Sequence, residues 1–201
     1  MSSIPSVYPF VNRINLDVGF AKGGWDFGKP YGITVHYSAD RDLHRVITWL
    51  SQQKLGYHLI IDREGLISQT CYFDKRVDHA GSAKWNNLSP NKHHISICLL
   101  SWGKLIKTDN KYYDWTGKEI PFQDVAERPD LRGDSGCWDK ATNKQESSLK
   151  SVLSWFITMG IKPDNICGHN EACIPEGRKQ DPGGVLSFTM CSLRQSLTIR
   201  E

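Results

Sequence analysis

The chain has 201 residues, 39% of them hydrophobic, and 25 Lys and Arg against 22 Asp and Glu leave a net charge of only +3. That length suits one domain with a core large enough to hold without disulfide staples. The composition excludes a disordered or fibrous chain; no apolar run approaches the roughly 20 residues of a membrane span, and no Lys/Arg cluster interleaved with aromatics points to nucleic acid.

Residues 1–30 are irregular, with Pro5, Pro9, Pro30 and "KGGWDFGKP", and read as a covering arm. Their start, "MSSIPSVYPFVNRIN", lacks the basic n-region and apolar h-region of a signal peptide, so cytoplasmic synthesis is expected. "YGITVHYSA" (31–39) predicts a buried strand ending at His36. In "DLHRVITWLSQQ" (42–53), Leu43, Val46, Ile47 and Leu50 fall at helical spacing, with Asp40 or Asp42 as the cap. "YHLIIDREGLISQT" (57–70) reads as a hairpin turning at Gly65, and "HISICLLSW" (94–102) as a strand in the middle of a sheet. Residues 103–141 are polar, turn-rich and spotted with aromatics; they read as a long loop or insertion on the rim. A helix is expected over about 142–159, with Leu149, Val152, Leu153 and Phe156 on one face. A short strand or turn ("KPDNICGH") and a last helix over about 183–197 complete the chain. The order predicts an α/β fold: a single mixed central β-sheet flanked by helices, with 1–201 forming one domain. Six cysteines (71, 98, 137, 167, 173, 191) form no CxxC pair and are expected to be mostly free thiols.

The segment "GHNEACIPEGRKQDPGG" (168–184) is too polar for a buried strand or a long helix. It reads either as a surface loop or as half of a metal site. A catalytic zinc site needs about three protein ligands and one open position. His36 ends a strand and His169 follows one, and strand ends are rigid mounts. Asp181 in "RKQDPG" is the best third ligand, and Cys173 competes with it. Taken singly, each of these residues also reads as ordinary surface or core.

Five pieces occur in one order: "ITVHYSA" with His36, "GYHLIIDREGLI" with Tyr57, "DHAG" with His79, "HISICLL", and "GHNE…GRKQDPGG" with His169, Lys179 and Asp181. Together they resemble the zinc-dependent N-acetylmuramoyl-L-alanine amidases of the type-2 amidase and peptidoglycan recognition protein superfamily, which includes small bacteriophage lysozyme-amidases. The resemblance covers roughly 31–102 and 142–197. It implies one Zn²⁺ ion held by His36, His169 and Asp181. It implies hydrolysis of the amide between N-acetylmuramic acid and L-alanine. Zinc suits that chemistry, because it activates water and polarises a carbonyl. Lys179 would stabilise the developing oxyanion and Tyr57 would act as acid–base or orienting partner. His79 would contact substrate or serve structurally. His58, beside Tyr57 on the strand, is expected to face the other way and be structural. Many members carry a catalytic Glu in the strand matching "HISICLL"; here Cys98 stands there, which shifts weight onto Tyr57 and Lys179.

The implied partner is bacterial peptidoglycan or muropeptides, met by a monomer. The leading expectation is a phage endolysin-type lytic enzyme that acts on the wall after release. The alternatives are a non-catalytic peptidoglycan-binding recognition module, or a cytoplasmic muropeptide-recycling amidase. The aromatics of the insertion (Trp102, Tyr112, Tyr113, Trp115, Phe122, Trp138) either stack on sugar rings or pack the insertion onto its own domain.

Overall fold

The β-branched runs and the amphipathic segments meet as layers, and their order places the site. The computed structural model describes residues 4–16, 21–129 and 135–198; residues 1–3 and 17–20 of the arm, 130–134 of the insertion and 199–201 lie outside the described residues. In chain order the elements are β1 (Arg13–Ile14), β2 (Gly32–Tyr37), α1 (Leu43–Gln53), β3 (Leu59–Ile61), β4 (Ile67–Gln69), α2 (Pro90–His93) and β5 (His94–Leu99). They continue with β6 (Lys104–Thr108), β7 (Lys111–Tyr113), β8 (Glu119–Ile120), β9 (Val125–Pro129), β10 (Ser135–Asp139), α3 (Asn143–Thr158), β11 (Ile166–Gly168), α4 (His169–Ala172) and α5 (Met190–Thr198).

Six strands form the central mixed sheet in the order β1-β4-β3-β5-β2-β11. β2 lies between β5 and β11, parallel to both, with His36 opposite Cys98 and Val35 opposite Gly168. Side chains alternate across it. Ile33, Val35, Leu59, Ile61, Ile95 and Ile97 pack on Leu149, Val152, Leu153 and Phe156 of α3 and on Met190 and Leu193 of α5. On the other face Ile60 and Cys98 meet Val46, Ile47 and Leu50 of α1. His36 shares the strand parity of Thr34, opposite to Ile33 and Val35 of the α3 layer, at the carboxyl end of its strand. Parallel strands put such ends at one edge, where ligand sites collect.

Local chemistry sets the helix ends. The Asp42 side chain accepts from the Arg45 N–H at 2.9 Å, so Asp42, not Asp40, caps α1. Thr142 and Gln145 satisfy each other's orphan donors at the start of α3. The 57–70 hairpin turns at Gly65 (φ 79°), where a Cβ would lie 2.9 Å from the Lys144 carbonyl oxygen. The arm does cover the core: Tyr8 and Trp25 are buried, and the Trp25 indole donates to the Phe73 carbonyl. All six cysteines are free.

Two expectations need correction. The last helix begins at Met190, not near 183; Gly183–Val185 make one 3₁₀ turn, and Thr189 caps the helix by accepting from the Ser192 N–H. Gly183, Gly184 and Ser187 are poor helix formers, and the apolar spacing across them belongs to a packed turn. The 103–141 segment is not a loop. Its strands form a five-stranded antiparallel sheet, β8-β7-β6-β10-β9. Leu105, Tyr112 and Ile120 turn inward around Trp102, while the intervening Lys and Glu face outward. Strands of two to five residues are too short for period-two alternation to stand out in sequence.

A buried ion network fastens this sheet to the central sheet. Asp139, fully buried, accepts from Arg41 and Arg63, and one of its oxygens also takes the Trp102 N–H at 2.7 Å. Arg41 also donates to Asp124 at 2.9 Å. Removing one member of such a set leaves buried charges unpaired, which costs about 3–5 kcal/mol. Asp139→Ala is therefore expected to lower unfolding free energy in urea by that amount; a loss under about 1 kcal/mol would contradict the assignment.

Candidate metal and catalytic site

His36 stands at the end of β2, and His169 opens α4 directly after β11. The Asp181 loop returns between them because the Asn170 N–H donates to the Asp181 carbonyl at 2.7 Å. Arg178 pins the same loop by donating to the Ala80 and Ser82 carbonyls. Glu171 accepts from the Gly168 N–H and from Arg194 of α5, which fixes α4. These contacts bring His36, His169 and Asp181 together, all buried, with one ligand atom from each inside a 4.8 Å cluster. Asp181 Oδ2 lies 2.8 Å from His36 Nδ1 and 2.9 Å from His169 Nδ1.

The outer contacts decide the tautomers. The Ala80 carbonyl can only accept, so His169 Nε2, 2.9 Å away, carries the proton. In the neutral ring this leaves a lone pair on Nδ1. His36 Nε2 is 2.9 Å from His79 Nδ1, and His79 Nε2 donates to the Pro90 carbonyl at 3.3 Å. A neutral His79 therefore accepts at Nδ1, and His36 donates from Nε2 and keeps its own Nδ1 lone pair. Burial keeps His36 and His79 neutral, pushing His36 down to about 4 and His79 well below its usual range. Two imidazole lone pairs and a carboxylate thus face one point. Such a set repels itself unless a cation joins it. Two His and one Asp suit a catalytic zinc, with outer hydrogen bonds aiming both rings. The residues fit the ion.

Cys173 is outside this set. Its thiol lies 3.4 Å from the Asn170 carbonyl, and among the described residues the cluster of possible ligands is His36, His169 and Asp181. His79 does line the cavity, but both of its ring nitrogens are engaged with protein groups. Its ring stands behind His36 while also lining the cavity.

One loop supplies both orienting acceptors, the His79 ring and the Ala80 carbonyl. Asn91 clamps it: its side-chain oxygen accepts from the His79 and Ala80 N–H groups at 2.9 and 2.8 Å. Sequence reasoning missed Asn91. Its only sign was its place in "SPNK" before a strand. Asn91→Ala is expected to weaken zinc affinity by at most the roughly 10- to 100-fold cost of losing an outer partner, because it holds the partners of the ligand rings rather than the rings themselves. Competition with a fluorescent chelator measures this, and an unchanged affinity would remove Asn91 from the site.

A cavity of about 420 Å³ opens above the cluster, lined by Tyr57, His79, His169, Lys179 and Asp181 among others. Tyr57 stands with its ring 5.0 Å from that of His36. Burial, with the neighbouring Cys98 thiol, pushes its phenol well above its ordinary pKa, so it keeps its proton and acts as a donor. Cys98 is held as a neutral thiol by burial and so supplies no base. Lys179 is exposed at the mouth, near enough for its charge to act on His36. His58 is structural as expected. It contacts Ser96 and the Lys75 carbonyl and stacks on Trp25.

A mixed sheet whose strand ends carry a buried His-His-Asp cluster under an open cleft defines an α/β domain with a site that could hold a metal ion. The chain belongs to the N-acetylmuramoyl-L-alanine amidase family, whose profile matches residues 26–184, and it is an enzyme of that class. Solved structures share the fold. AmpD aligns with a TM-score of 0.61 at 20% identity, over 98% of this chain and 99% of that one. AmpDH3 from Pseudomonas aeruginosa, in complex with anhydromuramic pentapeptide, aligns at 0.60 and 18%, over 87% of this chain and 63% of that one. The endolysin LysCS, an N-acetylmuramoyl-L-alanine amidase from Clostridium intestinale URNW, aligns at 0.58 and 15%, over 94% and 98%. A search of curated proteins gives no match.

Proposed function

We propose that this protein is a zinc-dependent amidase that cuts between N-acetylmuramic acid and L-alanine in bacterial peptidoglycan, as an endolysin-type lytic enzyme. The observation that carries the reading is the convergence of His36 Nδ1, His169 Nδ1 and Asp181 Oδ2. These three residues would hold the zinc, which supplies Lewis-acid activation of water and of the scissile carbonyl when bound. Tyr57 donates its phenolic proton to orient the reacting groups. Lys179 places a cation where negative charge develops on the carbonyl oxygen. His79, Ala80 and Asn91 hold the ligand rings in one tautomer. The chain works as a single catalytic domain and a monomer, made in the cytoplasm and reaching the wall after release.

Intact wall and soluble muropeptide are both reasonable substrates. LysCS is an endolysin, whereas AmpDH3 was captured with a free anhydromuramic peptide. Digestion of purified sacculi and of anhydromuramoyl peptide, with mass analysis of the released ends, tests the reading. New L-alanine amino termini and intact glycan are expected, with faster release from sacculi. New reducing sugar ends would make it a glycosidase, and release from the soluble peptide alone would make it a fragment amidase.

A further inference from the structure

A second cavity, of about 620 Å³, adjoins the catalytic one. The two share Ser38, Ala39, Trp49, Leu50 and Tyr57 along their walls. Two of the largest exposed apolar side chains of the described residues line it: Trp49 of α1, 54% exposed, and Trp115, 65% exposed. Leaving two indoles in water forfeits burial that folding would otherwise reward. Trp115 is also held rigidly. It stands on the β7–β8 hairpin tip, where Asp114 accepts from the Thr116 and Lys118 N–H groups and Gly117 turns with φ 86°. Its indole N–H crosses to the Ala39 carbonyl at 2.7 Å. Ala39 sits in the left-handed region (φ 58°), just after the strand that carries His36. A non-glycine residue there is strained, and such strain gathers at ligand sites.

We propose that Trp49 and Trp115 form a saccharide subsite that takes a pyranose ring of the glycan beside the scissile amide. This deepens the amidase reading and rests on it. The reaction requires sugar on one side of the amide and peptide on the other. The two ends of the joined cavity differ in the matching sense. The Lys179 end is cationic and suits the carboxylates of a stem peptide. The tryptophan end offers flat apolar walls for the C–H face of a pyranose. His44, Thr48 and Gln52 recur at every fourth position of α1 along the same wall, where they meet ring hydroxyls and the acetamido group. The insertion sheet thereby gains a purpose: it carries Trp115 to the groove, and the Arg41–Asp139 network holds it there.

The test compares two substrates with the same scissile amide, N-acetylmuramoyl-L-Ala-D-Glu-L-Lys and D-lactoyl-L-Ala-D-Glu-L-Lys, which lacks the sugar. In Trp115→Ala, the preference in kcat/KM for the sugar-bearing substrate is expected to fall roughly three- to tenfold, as loss of one aromatic stack implies. Trp115→Phe should restore most of it. Calorimetry on metal-stripped full-length protein should show the same drop in affinity for the muramoyl tripeptide. An unchanged preference and an unchanged affinity would overturn the subsite. A zinc-loaded wild type that cleaves neither substrate would instead sink the amidase reading, and the calorimetric arm would still decide the subsite.

Discussion

Asp181→Ala is expected to yield a protein that folds but does not hold zinc. The carboxylate is the one anionic member of the cluster, and its Oδ2 lies within 2.9 Å of both Nδ1 atoms. Without it, two neutral imidazoles remain on a site that needs about three ligands. The fall in affinity should exceed the 10- to 100-fold cost of an outer partner. The loop itself survives, because its anchor is the Asp181 carbonyl, which the substitution keeps. Atomic emission on dialysed protein should read close to one zinc per chain in the wild type and almost none in the variant. Cys173→Ala should keep its zinc, since that thiol contacts the Asn170 carbonyl instead. Full zinc in Asp181→Ala together with loss in Cys173→Ala would reverse the assignment of the third ligand.

Tyr57→Phe and Lys179→Ala are expected to lose turnover and keep the metal. Neither side chain belongs to the ligand cluster, yet both line the cavity above it. Removing one donor aimed at developing charge costs about 10²–10³ in kcat, and each variant should fall in that range on purified peptidoglycan. Tyr57→Phe deletes only the hydroxyl, so the ring keeps its packing against the α1 cluster. In the proposed mechanism the two residues act on one reacting centre, so the double variant should lose less than the product of the single losses. Cys98→Ala is the contrast. A thiol that burial keeps neutral is no base, and its removal should spare most of the turnover. If Cys98→Ala were as damaging as Tyr57→Phe, the catalytic weight would have to move to that strand. Zinc loss in Lys179→Ala would likewise remove its assigned role.

The His36–His169–Asp181 cluster was legible in the sequence because two of its members sit where sequence pattern is strongest. His36 ends a β-branched run, and Asp181 precedes a Pro-Gly-Gly turn that constrains its loop. The central sheet and α3 were legible for the same reason: long apolar periodicity survives without tertiary context. The place of His79 was not legible. "DHAG" announces a functional loop, but the contacts of its ring with His36 and the Pro90 carbonyl depend on how residues 36, 79 and 90 come together. No sequence signal marks the Ala80 carbonyl, since every residue has one. The insertion sheet was hidden by its short strands and outward lysines, so its most telling residue, Trp115, was one aromatic among six. Its exposure and its contact with Ala39 separate it from Trp138, which is buried against Gly183 and Gly184 in the main core.

X-ray absorption at the zinc edge, on protein purified without chelators, tests the metal centre most directly. The geometry predicts a shell of light scatterers only, with the multiple-scattering signature of two imidazoles and the remainder oxygen, and zinc–ligand distances of about 2.0–2.2 Å. A sulfur scatterer near 2.3 Å, or no bound zinc at all, would contradict it.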